Sequence, residues 1–150
     1  MKMRIEDLKK KRPVYIGNWK DKIDLIGNFV NDVFITGEVY RAKTSPYGNK
    51  EMWLEEKAKM KKLLPAWKAT HILFAYYTYE DYTGEAFVLF AKGGKLYEVN
   101  ASHCSCMGLE DQWTPEATDI RSLRHRLVEG TMGEGKYAEE LLKFLGGSHA

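Results

Sequence analysis

Residues 71–113, HILFAYYTYEDYTGEAFVLFAKGGKLYEVNASHCSCMGLEDQW, decide the fold. Ile72 to Tyr79 is apolar and aromatic without Gly or Pro, the composition of a pleated and largely buried strand. Glu80-Asp81-Tyr82-Thr83-Gly84 interrupts it with polar groups and a glycine, as a longer hairpin loop would. Ala86 to Ala91 (AFVLFA) predicts a second strand, apolar on both faces. Gly93-Gly94 fits a two-residue hairpin turn, because glycine takes the positive φ angles of primed turns without penalty. Lys95 to Val99 alternates polar and apolar residues, which predicts a third strand with one wet face. Strands joined in this way form an antiparallel meander.

Downstream, Thr118 is a candidate N-cap for a helix over Asp119 to Glu129, with Ile120, Leu123 and Leu127 as its apolar stripe. The glycine-spaced loop GTMGEG follows. Its Lys136 is succeeded by Tyr137 and not by Ser or Thr, so a phosphate-binding P-loop is excluded. Lys136 to Leu145 reads as a final amphipathic helix, and residues 146–150 as a flexible tail. Upstream, Met3 to Lys11 has loose helical spacing that Arg12-Pro13 ends. Asp21 to Val30 holds only short apolar pieces. Val33 to Thr36 and Glu38 to Arg41 read as strands, and Asn49 caps a helix from Lys50 to Leu64 that Pro65 stops. The expected architecture is one α+β domain over residues 1–145: an antiparallel sheet built around the meander of about 72–99, with helices packed on one side. No βαβ alternation supports a doubly wound nucleotide-binding sheet.

The chain has 150 residues, 23 basic and 21 acidic, for a net charge of +2. That balance gives no general electrostatic pull towards nucleic acid. Basic residues do cluster at Lys9 to Arg12, at Lys57, Lys59, Lys61 and Lys62, and at Arg121, Arg124 and Arg126, so a nucleic-acid-binding module stands as one alternative. There is no signal-peptide pattern and no run of about 18 apolar residues, which predicts neither secretion nor a membrane span. Two cysteines in a chain of this kind point to a reducing compartment.

His103-Cys104-Ser105-Cys106 is the constellation with chemical potential. Thiolates and imidazole are zinc ligands, and zinc bound by His103, Cys104 and Cys106 would need a fourth ligand from elsewhere in the fold, among them His71, His125, Asp111 or Glu110. On an extended strand Cys104 and Cys106 would stand nearly 7 Å apart, so a shared ion demands a tight turn. A thiol nucleophile would need a histidine across the fold, His71 or His125 rather than the neighbouring His103. A small metal- or thiol-dependent enzyme is therefore a second alternative. The remaining reading is structural, with small thiols packed where a strand leaves the sheet. Glu80, Asp81 and Glu85 flank the hairpin loop, where acids are usually solvated.

The run Y-x-Y-E-x-Y-x-G-x-A-F-V-L-F, then G-K-L-Y-E-V-N, then S-H-C-S-C-x-G-L-E-x-Q-W resembles a family of small uncharacterised bacteriophage and prophage proteins. Tyr77, Tyr79, Glu80, Tyr82, Gly84, Ala86 to Phe90, Gly94 to Asn100, Ser102 to Cys106, Gly108 to Glu110, Gln112 and Trp113 carry the likeness. It extends to Leu123-Arg124-His125-Arg126-Leu127 and fades over the first seventy residues. The resemblance implies a phage accessory gene expressed in bacterial host cytoplasm and, by association with other small accessory phage proteins, one that binds and blocks a host or anti-phage defence protein. Separately, no cofactor is expected, with zinc as the alternative. The expected contact residues are Tyr79, Glu80, Asp81, Tyr82 and Trp113, with an acidic, tyrosine-rich tip suited to a basic partner surface.

Overall fold

The computed structural model describes residues 3–29, 68–80, 83–104, 109 and 112–146. The expected strands at 33–36 and 38–41, the helix at 50–64 and the tail from 147 lie outside these residues. The described elements are α1 (Ile5–Lys10), β1 (Val14–Gly17), α2 (Lys22–Phe29), β2 (His71–Glu80), β3 (Thr83–Lys92), β4 (Lys95–His103), β5 (Glu116–Thr118), α3 (Ile120–Val128) and α4 (Ala138–Phe144). The strands form one sheet in the order β1-β2-β3-β4-β5. β2, β3, β4 and β5 are antiparallel neighbours, whereas β1 lies parallel to β2 at the edge. This is the α+β class that the patterning predicts, with the meander at its centre.

The strands of the meander are longer than their apolar cores. Pairing runs out to Glu80↔Thr83, so the interruption expected over Glu80 to Gly84 is mostly strand. The Gly93-Gly94 turn has φ of 58° and 75°, both in the left-handed region that glycine enters freely. β3 is buried on both faces because the sheet is covered on both. Phe87, Leu89 and Ala91 face one core, with Leu8 of α1, Leu123 and Leu127 of α3, and Leu141, Leu142 and Leu145 of α4. Ala86, Val88 and Phe90 face a second core, with Trp19, Leu25, Ile26, Phe29 and Leu109. Helices α1, α3 and α4 thus gather on one side as expected, while α2 packs on the other.

A bulge sits between Ile72 and Phe74 of β2. The extra residue breaks the two-residue alternation. Leu73 and Phe74 are consecutive, yet both turn into the three-helix core. Phe74 there meets Phe87, Tyr137 and Phe144 with ring centroids 5.9–6.3 Å apart. Burial of each such ring contributes about 1.5–3 kcal/mol.

Two local expectations are corrected, and a stretch that the pattern left unassigned proves helical. The pieces between Asp21 and Val30 form a helix, begun where the Asp21 carboxylate accepts from the Asp24 N–H at 2.9 Å. Thr118 is not the cap of α3. It ends β5 opposite Leu96, and Asp119 caps the helix by accepting from the Ser122 N–H at 2.7 Å. The outer face of β4 is not wet at Glu98, which is only 4 % exposed. Arg126 of α3 reaches down to it: Nη1 donates to Oε1 at 2.8 Å and Nη2 donates to Oε2. Burial alone would raise the Glu98 carboxyl, but hydrogen bonds from Arg126, Thr118 and Asn100 outweigh it and hold the group below the usual carboxylate range.

Candidate functional site

The end of the β2–β3 hairpin at Tyr79 and Gly84 is built by two rules acting together. Side chains alternate along each strand, and cross-strand partners share a face. Tyr79 pairs with Gly84, and Gly84 pairs on its other side with His103. Tyr79, Gly84 and His103 therefore lie in one row across three strands, on the same face as Trp19. The Tyr79 ring is 39 % exposed, which makes it one of two large apolar side chains so exposed among the described residues. It is not loose: its edge meets the His103 imidazole with centroids 4.4 Å apart and planes at 73°. Tyr77 stands behind His103 at 6.4 Å. His103 Nδ1 is buried and has no hydrogen-bond partner among the described residues. Packing against the Tyr79 and Tyr77 rings positions the imidazole.

The ring contacts continue across the sheet. Tyr77 meets Trp19 at 5.0 Å, Trp19 meets Phe29 at 5.6 Å, and Phe29 meets the edge of Trp113 at 5.0 Å. Trp113 then stacks on Phe90 at 5.2 Å and 20°, and Phe90 stacks on Tyr97 at 5.3 Å and 20°. Aromatic pairs in this distance range add stability beyond their buried area. One layer of rings thus runs from Tyr79 at the hairpin end to Tyr97 at the Gly93-Gly94 end.

Of the expected contact residues, Tyr79 and Trp113 lie at different points of this layer. Tyr79 and the backbone of Glu80 are at the hairpin end. Asp81 and Tyr82 lie outside the described residues. Trp113 stacks over Phe90, six residues along β3 from Gly84 and so roughly 20 Å from the tip. It is half-buried within the ring layer and does not join Tyr79.

Among the described residues the chemical alternatives gain no assembled site. His103 ends β4 and Cys104, half-buried, follows it, while Cys106 lies outside the described residues. Among the described residues no group of three His, Cys, Asp or Glu side chains converges on a common point. His71 pairs with Ala91, at the opposite end of β3 from the residue that pairs with His103. Burial, with Lys9 and Lys22 nearby, holds its imidazole below the usual histidine range. His125 is exposed on α3, across the sheet from His103. Neither histidine reaches Cys104, so neither completes the thiol pair.

The basic clusters turn partly inward. Arg126 is committed to Glu98, and Arg124 donates to the Leu145 carbonyl at 2.8 Å. Lys11 donates to the Phe144 carbonyl and lies 5.1 Å from that ring. Lys57 to Lys62 lie outside the described residues. No described helix is long and apolar enough to cross a membrane.

Gln112 has a role that its position in the sequence does not announce. Its amide accepts from the Ser102 N–H at 3.0 Å and donates to the Ser102 carbonyl at 2.7 Å. One side chain thereby does the hydrogen bonding of a neighbouring strand on the edge of β4 that β5 leaves uncovered. Comparison with protein-family models, with curated proteins and with solved structures finds no match to the chain. The fold and its geometry define an α+β protein that presents, among its described residues, an exposed and braced tyrosine at the end of a long hairpin.

Proposed function

We propose that the chain is a phage-type accessory protein that acts by protein–protein contact in bacterial cytoplasm, inhibiting a host or anti-phage defence protein through the end of the β2–β3 hairpin. The observation that carries this reading is Tyr79: a large ring, exposed, and braced edge-on against His103. A ring already held in place loses little conformational entropy when a partner covers it. Aromatic anchors of this kind concentrate binding energy, commonly about 2 kcal/mol or more on truncation. The sequence resemblance to phage proteins supplies the class of partner, and the acidic residues beside Tyr79 favour a basic surface on it.

Affinity capture from a host strain, followed by titration of the captured partner, tests the proposal. Tyr79→Ala is expected to weaken the partner's affinity about thirtyfold, the equivalent of 2 kcal/mol, while the melting temperature falls by only the few degrees that loss of the Tyr79–His103 contact implies. A stable Tyr79→Ala protein that binds the same partner at full strength refutes the assignment of this surface.

A further inference from the structure

At the opposite end of the meander from Tyr79 the sheet carries a pocket of about 490 Å³. That is within the range of small-molecule sites, roughly 300–1,000 Å³. Its floor is the end of the ring layer: Trp113 and Tyr97, both half-buried, stacked on the buried Phe90. Its mouth carries Lys92 and Lys95, and the buried Thr70 forms part of a wall. Among the described residues, no acidic side chain lines it.

The two lysines are direct cross-strand partners that flank the Gly93-Gly94 turn. Both are exposed, and they stand on the face that carries Phe90 and Tyr97. Like charges directly opposite each other destabilise a strand pair. A third ammonium, Lys22, donates to the Thr70 carbonyl at 2.5 Å, adding positive potential behind the wall. An arrangement that costs stability in the unliganded protein is relieved by an anion between the two ammonium groups. The adjoining rings offer a planar ligand a stacking surface, and stacking on aromatic side chains is how proteins commonly hold a base.

We propose that this pocket binds a nucleoside monophosphate, its base against Tyr97 and Trp113 and its phosphate between Lys92 and Lys95. The phosphate needs both ammonium groups and the base needs both rings, so neither half alone accounts for the site. This site is independent of the Tyr79 surface, and either can fail without the other.

The probes are AMP, GMP, CMP and UMP, with adenosine, inorganic phosphate and a short single-stranded oligonucleotide as comparisons. Binding is followed by calorimetry and by the indole N–H resonance of Trp113, assigned through Trp113→Phe among the four tryptophans. At least one mononucleotide is expected to bind saturably and to shift that resonance, with adenosine and phosphate weaker by tenfold or more. Lys92→Gln with Lys95→Gln is expected to weaken the mononucleotide tenfold or more, as loss of charge-assisted hydrogen bonds does. Lys95→Glu abolishes binding but melts no earlier than wild type, because it replaces the repulsive pair with an attractive one. Tyr97→Leu weakens the nucleotide more than it weakens phosphate. The proposal is overturned if no mononucleotide binds, if phosphate alone binds as well as the nucleotide, if only the oligonucleotide binds, or if the lysine variants bind unchanged.

Discussion

Tyr79 and His103 belong to strands that are not neighbours, yet their rings touch across β3. The residue between them is Gly84, the cross-strand partner of both. β2 and β4 are two strand spacings apart, about 9.5 Å, and a Cβ at Gly84 would meet Tyr79 Cα at 3.2 Å. A Cβ at Gly84 would also lie 2.1 Å from the Thr78 carbonyl oxygen, closer than a backbone atom can tolerate. Gly84→Ala is therefore expected to cost about 2 kcal/mol or more in chemical denaturation, an overpacking penalty. The His103 ring proton resonances should shift as Tyr79 moves away. A Gly84→Ala protein with wild-type stability and unchanged His103 resonances would contradict this account.

The buried Glu98–Arg126 pair yields a second prediction. Arg126→Met strands a carboxylate that is almost fully buried and is expected to cost about 3 kcal/mol, at the low end for such pairs because the arginine keeps some contact with solvent. The pH dependence follows from the downward shift of Glu98. A carboxylate with a depressed folded value contributes stability above its ordinary value near 4.5, and that contribution is lost as pH falls through the folded value. Thermal melts between neutral pH and pH 3 should thus fall more steeply for wild type than for Glu98→Gln. Parallel curves would show that the pair contributes nothing.

The parts of this fold that were legible in the sequence are those decided locally. AFVLFA between two glycine-marked breaks can hardly be other than a buried strand, and Gly93-Gly94 sets the turn by itself. β1 and β5 were not legible, because four and three residues respectively carry too little pattern and gain their pairing only from β2 and β4. Glu98 fits a wet strand face until Arg126, far along the chain, is known to meet it. The Tyr79–His103 contact was recoverable in principle: once the two hairpin registers are counted, both residues fall opposite Gly84. The amide of Gln112 had no such signal, since nothing local says that it reaches Ser102.

Alkaline titration tests the three-helix core. Burial raises the Tyr137 phenol above its ordinary value near 10, and the neighbouring Glu85 and Glu98 carboxylates add to the shift. Tyr15 is likewise pushed up to about 12, first by burial and then by Asp21. A phenol with a raised folded value contributes stability below its unfolded value and loses it as pH climbs from about 10 through the folded value. Tyr137 stacks on Phe87 at 4.9 Å and 15°, a contact that a phenylalanine preserves. Tyr137→Phe should match wild type at neutral pH and outlast it above pH 10 in thermal melts. Equal loss of stability in both proteins would place the alkaline transition on other groups.

The last prediction concerns the edge of β4. β5 pairs only with Leu96 to Glu98, and beyond them the Gln112 amide takes up both backbone groups of Ser102. Gln112→Ala removes two hydrogen bonds, each worth about 0.5–1.5 kcal/mol net, so the expected loss of stability is about 1–2 kcal/mol. A larger effect should appear at high protein concentration, because an uncovered strand edge is a template for pairing with another copy. Light scattering of Gln112→Ala should therefore rise with concentration where wild type stays flat. Gln112→Glu separates the two causes: its carboxylate can still accept from the Ser102 N–H but cannot donate to the carbonyl, while its charge opposes strand addition. That variant should be destabilised yet remain unassociated. If Gln112→Ala also remains unassociated, the edge is protected by other means and the amide serves stability alone.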